Sequence, residues 1–157
     1  MYRGIVMYTK NDLIKYARIV RSKCYTYAHM EESNEALYHN ENKLHGMCAI
    51  ASAAYVEYLE KIGIDAYCVY TNKHCWVSVG TYFVDLTSSQ YGISDFLVLK
   101  KKPFMDLVKR GTWASCYTGY KKVDKKDYKD AFCTWYAGQS PTSRVINRIL
   151  TIGELNV

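Results

Sequence analysis

Residues 42–91 read NKLHGMCAIASAAYVEYLEKIGIDAYCVYTNKHCWVSVGTYFVDLTSSQY, and a change of period inside this stretch decides the fold. Up to Lys61 the apolar residues recur at helical spacing. Met47, Ala51, Ala54, Tyr55, Tyr58 and Ile62 share one face, and Ile50, Val56 and Leu59 widen it until only a narrow stripe near Glu57, Glu60 and Lys61 stays polar. The pattern predicts a helix from Met47 to about Lys61, apolar enough for the middle of a domain and closed by Gly63. Beyond it, residues that favour strands take over. Strands are predicted over 66–70, 74–79 and 82–86, the last two joined by a tight turn at Gly80 and Thr81. With a two-residue loop, Val79 faces Tyr82, Val77 faces Val84 and Trp76 faces Asp85. His74 then shares a face with Trp76 and is the diagonal neighbour of Asp85.

The flanks read as support for this centre. Residues 1–10 suggest a short strand or an ordered arm. Asn11 or Asp12 is the expected cap of a helix to about Ser22, with Leu13, Tyr16, Ala17 and Val20 as its buried stripe. Residues 24–42 are expected to be a long loop with some helix around 31–38. On the other side come a strand over 96–100, a short helix from Pro103 to about Lys109 and a hairpin over 113–123 turning at Thr118 and Gly119. Asp124 is set to cap a helix to Tyr136, and Ser140 with Pro141 to start a last helix ending near Leu150. The expected class is α+β, a central helix packed on an antiparallel sheet. One domain is expected over 1–157, with its core in 42–100 and a basic, helical part in 101–157.

Composition narrows the function classes. The chain has 157 residues, 49% of them hydrophobic and 23% charged, which suffices for a real core. No run approaches the ~18 apolar residues of a membrane span, and the start shows no signal-peptide pattern, so a soluble, unprocessed, cytoplasmic protein is expected. The six cysteines are scattered, without CxxC, and HxxxH is absent, which argues for free thiols and against a zinc module. Net charge is +6, concentrated at the C-terminal end: 12 basic against 5 acidic residues from Lys100 on, 9 against 10 before it. The lysine runs alternate with Asp124, Asp127 and Asp130 and carry no nucleic-acid motif, which favours a solvated face over a nucleic-acid partner.

The chemistry lies in the order thiol, imidazole, carboxylate. Cys48 opens the central helix, where free N–H groups and the helix dipole favour a thiolate and can hold an oxyanion. His74 is the candidate base and Asp85 the group that orients it. The segments GMCAIASAAYVEYLEKIGIDA (46–66), HCWVSVG (74–80) and YFVDLTSSQYG (82–92) together resemble the core of the transglutaminase-like branch of the papain-like cysteine enzymes. That resemblance covers about the middle third of the chain. It implies Cys48 as nucleophile, His74 as base and Asp85 as orienter, and acyl transfer from an amide or isopeptide bond through a thioester. The acceptor would be water, as in a peptidase or amidase, or an amine, as in a transglutaminase.

Asn42 stands six residues before Cys48, where papain-like proteases have an oxyanion-stabilising Gln, and is the oxyanion-hole candidate. Trp76 and Gln90 are candidates for the substrate cleft, with Thr87 and Gln90 also suited to bracing the loop after Asp85. The sixteen tyrosines suit a peptide or protein substrate. No cofactor is expected. His45, three residues before Cys48, is a candidate substitute base or, with Cys48, His74 and Cys75, a zinc ligand, although Cys75 should point away from His74 on a regular strand. Two other readings stand beside the enzyme. One is a non-catalytic peptide- or protein-binding module on the same scaffold, and the other is nucleic-acid binding through residues 100–129.

Overall fold

Thr9 and Asp12 close the start of the first helix reciprocally. The Asp12 N–H donates to Thr9 Oγ1 at 3.1 Å and the Thr9 N–H to Asp12 Oδ2 at 2.9 Å. The cap is therefore Thr9, two residues before Asn11 and three before Asp12, with Asp12 as its partner at the third helical position. In this computed structural model, which describes residues 6–30, 44, 46–123 and 142–153, helix α1 runs Lys10–Met30. It overruns the expected end at Ser22 because its buried stripe continues: Cys24, Tyr27 and Ala28 extend the spacing of Leu13, Ala17 and Val20. The loop expected from Cys24 is thus helical to Met30. The helices expected over 31–38 and 124–136 lie outside the described residues.

The central helix α2 is Cys48–Lys61, and ten of its residues are buried. Met47 is its N-cap residue and offers no side-chain hydrogen bond, so the first turn is left uncapped by side chains. Its C-terminus is closed by two backbone bonds, Gly63 N–H to Glu60 O (3.0 Å) and Ile64 N–H to Leu59 O (2.9 Å), with Ile64 and Leu59 both buried. The closure needs Gly63 at φ +87°, where a Cβ would also meet Val6 Cγ2 at 2.8 Å. Gly63→Ala is expected to cost about 1–2 kcal/mol and to lower Tm by roughly 3–6 °C. A thermal melt checks this, and an unchanged Tm would contradict it.

Five strands follow in one antiparallel sheet: β1 Tyr67–Tyr70, β2 Cys75–Val79, β3 Tyr82–Asp85, β4 Leu97–Lys100 and β5 Lys121–Lys122, in the order β4-β3-β2-β1-β5. The β2–β3 hairpin has the expected register, with Val77 opposite Val84 and Val79 opposite Tyr82 across Gly80 and Thr81. His74 itself lies one residue ahead of β2. Helix α3, Lys101–Val108, grows directly from β4 with Pro103 in its first turn, where a missing N–H costs nothing. The hairpin expected over 113–123 does not form. Residues 114–116 make a single 3₁₀ turn and Lys121–Lys122 pair with β1 instead, because Tyr70 and Val69 offer a free strand edge. Helix α4, Ser143–Leu150, is capped by Thr142, whose Oγ1 accepts from the Val145 N–H at 3.3 Å.

The sheet separates two apolar layers. α1, α2 and α4 cover the face carrying Cys75, Val77 and Val84. Trp76, Phe83, Phe104 and Tyr117 fill the other under α3. The architecture is α+β. Among the described residues no helix is long and apolar enough to cross a membrane. Several lysines of the basic part are used locally: Lys101 lies over the Phe83 ring, Lys122 over Tyr67, and Lys102 pairs with Asp106 at 3.0 Å.

Candidate active site

Asp85 is fully enclosed, and its carboxylate is surrounded by donors. Oδ2 accepts from His74 Nε2 at 2.7 Å and from the Tyr117 hydroxyl at 2.7 Å, while Oδ1 accepts from the Thr87 N–H at 2.9 Å. Thr87 Oγ1 lies 3.4 Å from the same Oδ1. Each bond offsets part of the cost of placing a carboxylate out of water. The hairpin register brings the chain ends of β2 and β3 together, and the backbone bend after Asp85 returns the Thr87 N–H to it. The third element is Tyr117, which follows the 3₁₀ turn at 114–116.

His74 is equally buried, in a box of aromatic rings. Trp76 stacks on it (centroids 5.8 Å apart), and Tyr91 (4.9 Å) and Tyr117 (5.0 Å) meet it edge-on. Because Nε2 faces a carboxylate, it carries the proton, which leaves Nδ1 as the working nitrogen. The Tyr91 hydroxyl sits 3.1 Å from Nδ1 and can accept from it or donate to it, so it suits both protonation states of the ring. Gln90 Nε2 lies 3.4 Å from Nδ1 and donates to Thr87 Oγ1 at 3.1 Å. Gln90 thus braces the loop after Asp85 and stays half-buried at the edge of the site.

The Cys48 thiol lies near enough to the imidazole to act on it electrostatically. Burial alone would push the His74 pKa down. The Asp85 charge and hydrogen bond outweigh it and, with a hydrogen bond and charge from Cys48, raise it from 6.5 to about 10. The shift favours the charged form of a ring that lies between a carboxylate and a thiol. Burial, then the Asp85 charge, pushes the Tyr117 phenol upward, so it remains a donor. A folded-state value above the unfolded 6.5 means that His74 contributes its full stabilisation below pH 6.5 and loses it as pH rises through about 10. Urea midpoints are accordingly expected to fall more steeply between pH 7 and 10 for the native chain than for His74→Gln. Parallel curves would refute the charged pair.

Cys48, His74 and Asp85 are thus brought together, although Cys48 belongs to the layer under α2 while Trp76 and Tyr117 belong to the opposite one. Cys48 as a residue is 5% exposed. Asn42 and His45 lie outside the described residues. Trp76, expected in the substrate cleft, is wholly buried between Phe83, Phe104 and Tyr117 and supports His74 from within. Cys75 points the other way from His74, against Cys68 and Ser52, and no cluster of three metal-ligating side chains occurs among the described residues.

The sequence reading missed Tyr91 and Tyr117. Tyr117 lies 32 residues from Asp85, and with sixteen tyrosines in the chain nothing marked either one. No protein-family model, curated protein or solved structure matches the chain.

Proposed function

We propose that the protein is a cysteine-dependent acyl enzyme of the transglutaminase-like, papain-like kind, acting on amide or isopeptide bonds of a peptide or protein. The observation that carries this reading is the buried His74–Asp85 pair at 2.7 Å, with the Cys48 thiol near the same ring. An imidazolium facing a thiol favours the thiolate, the form that attacks acyl carbon. The uncapped first turn of α2 supports the reading too, because its N–H groups can receive the developing oxyanion.

In the proposed reaction the reacting form is the Cys48 thiolate beside the protonated ring. Its sulfur bonds to the substrate carbonyl carbon and the carbonyl electron pair moves to oxygen. As that pair returns, the C–N bond breaks and the leaving nitrogen takes the proton from His74 Nδ1. A thioester remains, with a neutral ring still held by Asp85 through Nε2. Water or an amine then attacks the thioester carbon and gives its proton to Nδ1. The C–S bond breaks and the sulfur departs as thiolate, which restores the starting ion pair.

The test is competitive alkylation. Limiting iodoacetamide near neutral pH is expected to modify Cys48 before the other five cysteines. Cys116 is the internal control, being exposed to the same 5%. A second reading, a non-catalytic binding module on the same scaffold, is favoured by the near-complete burial of Cys48 and by the Tyr91 hydroxyl already resting on Nδ1. It predicts that Cys48 reacts no faster than Cys116.

A further inference from the structure

Against the turn that leads into His74 is a cavity of about 290 Å³, lined among others by Thr71, Asn72, Lys73, Ser115, Thr118 and Lys121. Its described lining holds two ammonium groups, four hydroxyl side chains (the Tyr70 phenol among them) and an amide, with no carboxylate. Lys73 Nζ is anchored by the Ser115 hydroxyl at 3.2 Å, and neither lysine has a carboxylate partner among the described residues. The volume lies just below the range of whole small-molecule pockets, the size for one side chain rather than a larger ligand.

Both walls of the cavity run directly into the site. On one, Thr71 Oγ1 accepts from the backbone N–H groups of Lys73 and His74, both at 3.2 Å, and the Thr71 N–H donates to His74 O at 2.8 Å. The turn that forms the wall is thus the turn that holds the imidazole. On the other, Thr71 Oγ1 donates to Cys116 O at 2.7 Å, and the next residue, Tyr117, donates to Asp85. A group bound here touches the same two segments that fix the ring and its carboxylate.

We propose that this cavity is the subsite for an acidic side chain of the peptide substrate, an aspartate or glutamate carboxylate close to the bond under attack. This rests on the cysteine-enzyme reading. Lys73 and Lys121 supply the charge, and Asn72, Ser115 and Thr118 supply donors for the two carboxylate oxygens. A nucleic acid would need a track of several phosphate contacts, whereas this is one recess with two cations.

The experiment uses the full chain and dipeptidyl chloromethyl ketones bearing Glu, Gln or Lys at either position, with the rate of Cys48 labelling read by mass spectrometry. At low salt the best Glu probe is expected to label about tenfold faster than its Gln counterpart, the size of two exposed charge pairs. That ratio is expected to fall toward one at high salt and in the Lys73→Gln, Lys121→Gln double variant. The Lys73→Glu, Lys121→Glu variant is expected to favour the Lys probe. Equal labelling by Glu, Gln and Lys probes in the native chain would overturn the subsite. If no probe labels Cys48, the enzyme reading fails instead. The subsite is then decided by amide chemical shifts at Thr71–Lys73 and Ser115–Thr118 on adding N-acetylglutamyl amide, with absent shifts overturning it.

Discussion

Cys48→Ala is expected to abolish turnover, lowering kcat by roughly 10³-fold or more, while leaving the melting temperature within a few degrees of the native value. Loss of the sulfur removes the group proposed to form the thioester. The cavity it leaves is small, because one sulfur atom is deleted at a residue already 5% exposed at the end of α2. The measurement is acyl-adduct formation followed by intact mass, together with a thermal melt. A variant that still accumulates an adduct would move the nucleophile elsewhere, and Cys116 is the cysteine to map next because it also borders Tyr91.

The second large effect concerns Asp85, and it falls on stability and chemistry together. Asp85→Ala orphans three buried donors, His74 Nε2, the Tyr117 hydroxyl and the Thr87 N–H, and leaves His74 without its counter-charge. Removing one partner of a buried ion pair costs about 3–5 kcal/mol, a large share of the roughly 5–15 kcal/mol that holds a domain together. The expected result is a much lower urea midpoint or an insoluble chain. Asp85→Asn separates the two roles. It keeps the shape and an acceptor for the Thr87 N–H, but an amide nitrogen at the Oδ2 position must donate to His74 Nε2. That moves the ring proton to Nδ1 and removes the base, so activity is expected to fall by about 10⁴ with the chain still folded. Near-native activity in Asp85→Asn would refute Asp85 as the orienting group.

The extent to which the site could be read in advance follows from sequence separation. His74 and Asp85 are joined by a hairpin with a two-residue turn, whose register is dictated by the turn length and by alternation, so their meeting could be counted out residue by residue. Cys48 could be placed at a helix start from periodicity alone. Tyr117 could not be found this way, because its approach to Asp85 depends on how residues 111–120 fold back under α3, and that segment has no period. The hairpin expected there failed for the same reason: strand-forming residues were present, but the free edge of β1 captured Lys121 and Lys122. The short reading of α1 had a different cause, because Tyr25 and Thr26 weaken local helix preference while the buried Cys24, Tyr27 and Ala28 keep the stripe going.

Two periods in the chain, 3.6 up to Lys61 and 2 after Ala66, determined by themselves that a buried helix precedes an antiparallel sheet. They also determined that thiol, imidazole and carboxylate stand at the starts and ends of those elements. Tertiary structure alone decided what surrounds them: the Tyr117 hydroxyl on the carboxylate, the Tyr91 hydroxyl on the working ring nitrogen, and Trp76 as a buried support. The reason is physical. Periodicity reports which face of one element avoids water, whereas the partners of a buried charge are set by the packing of elements distant in the chain, which local pattern does not encode.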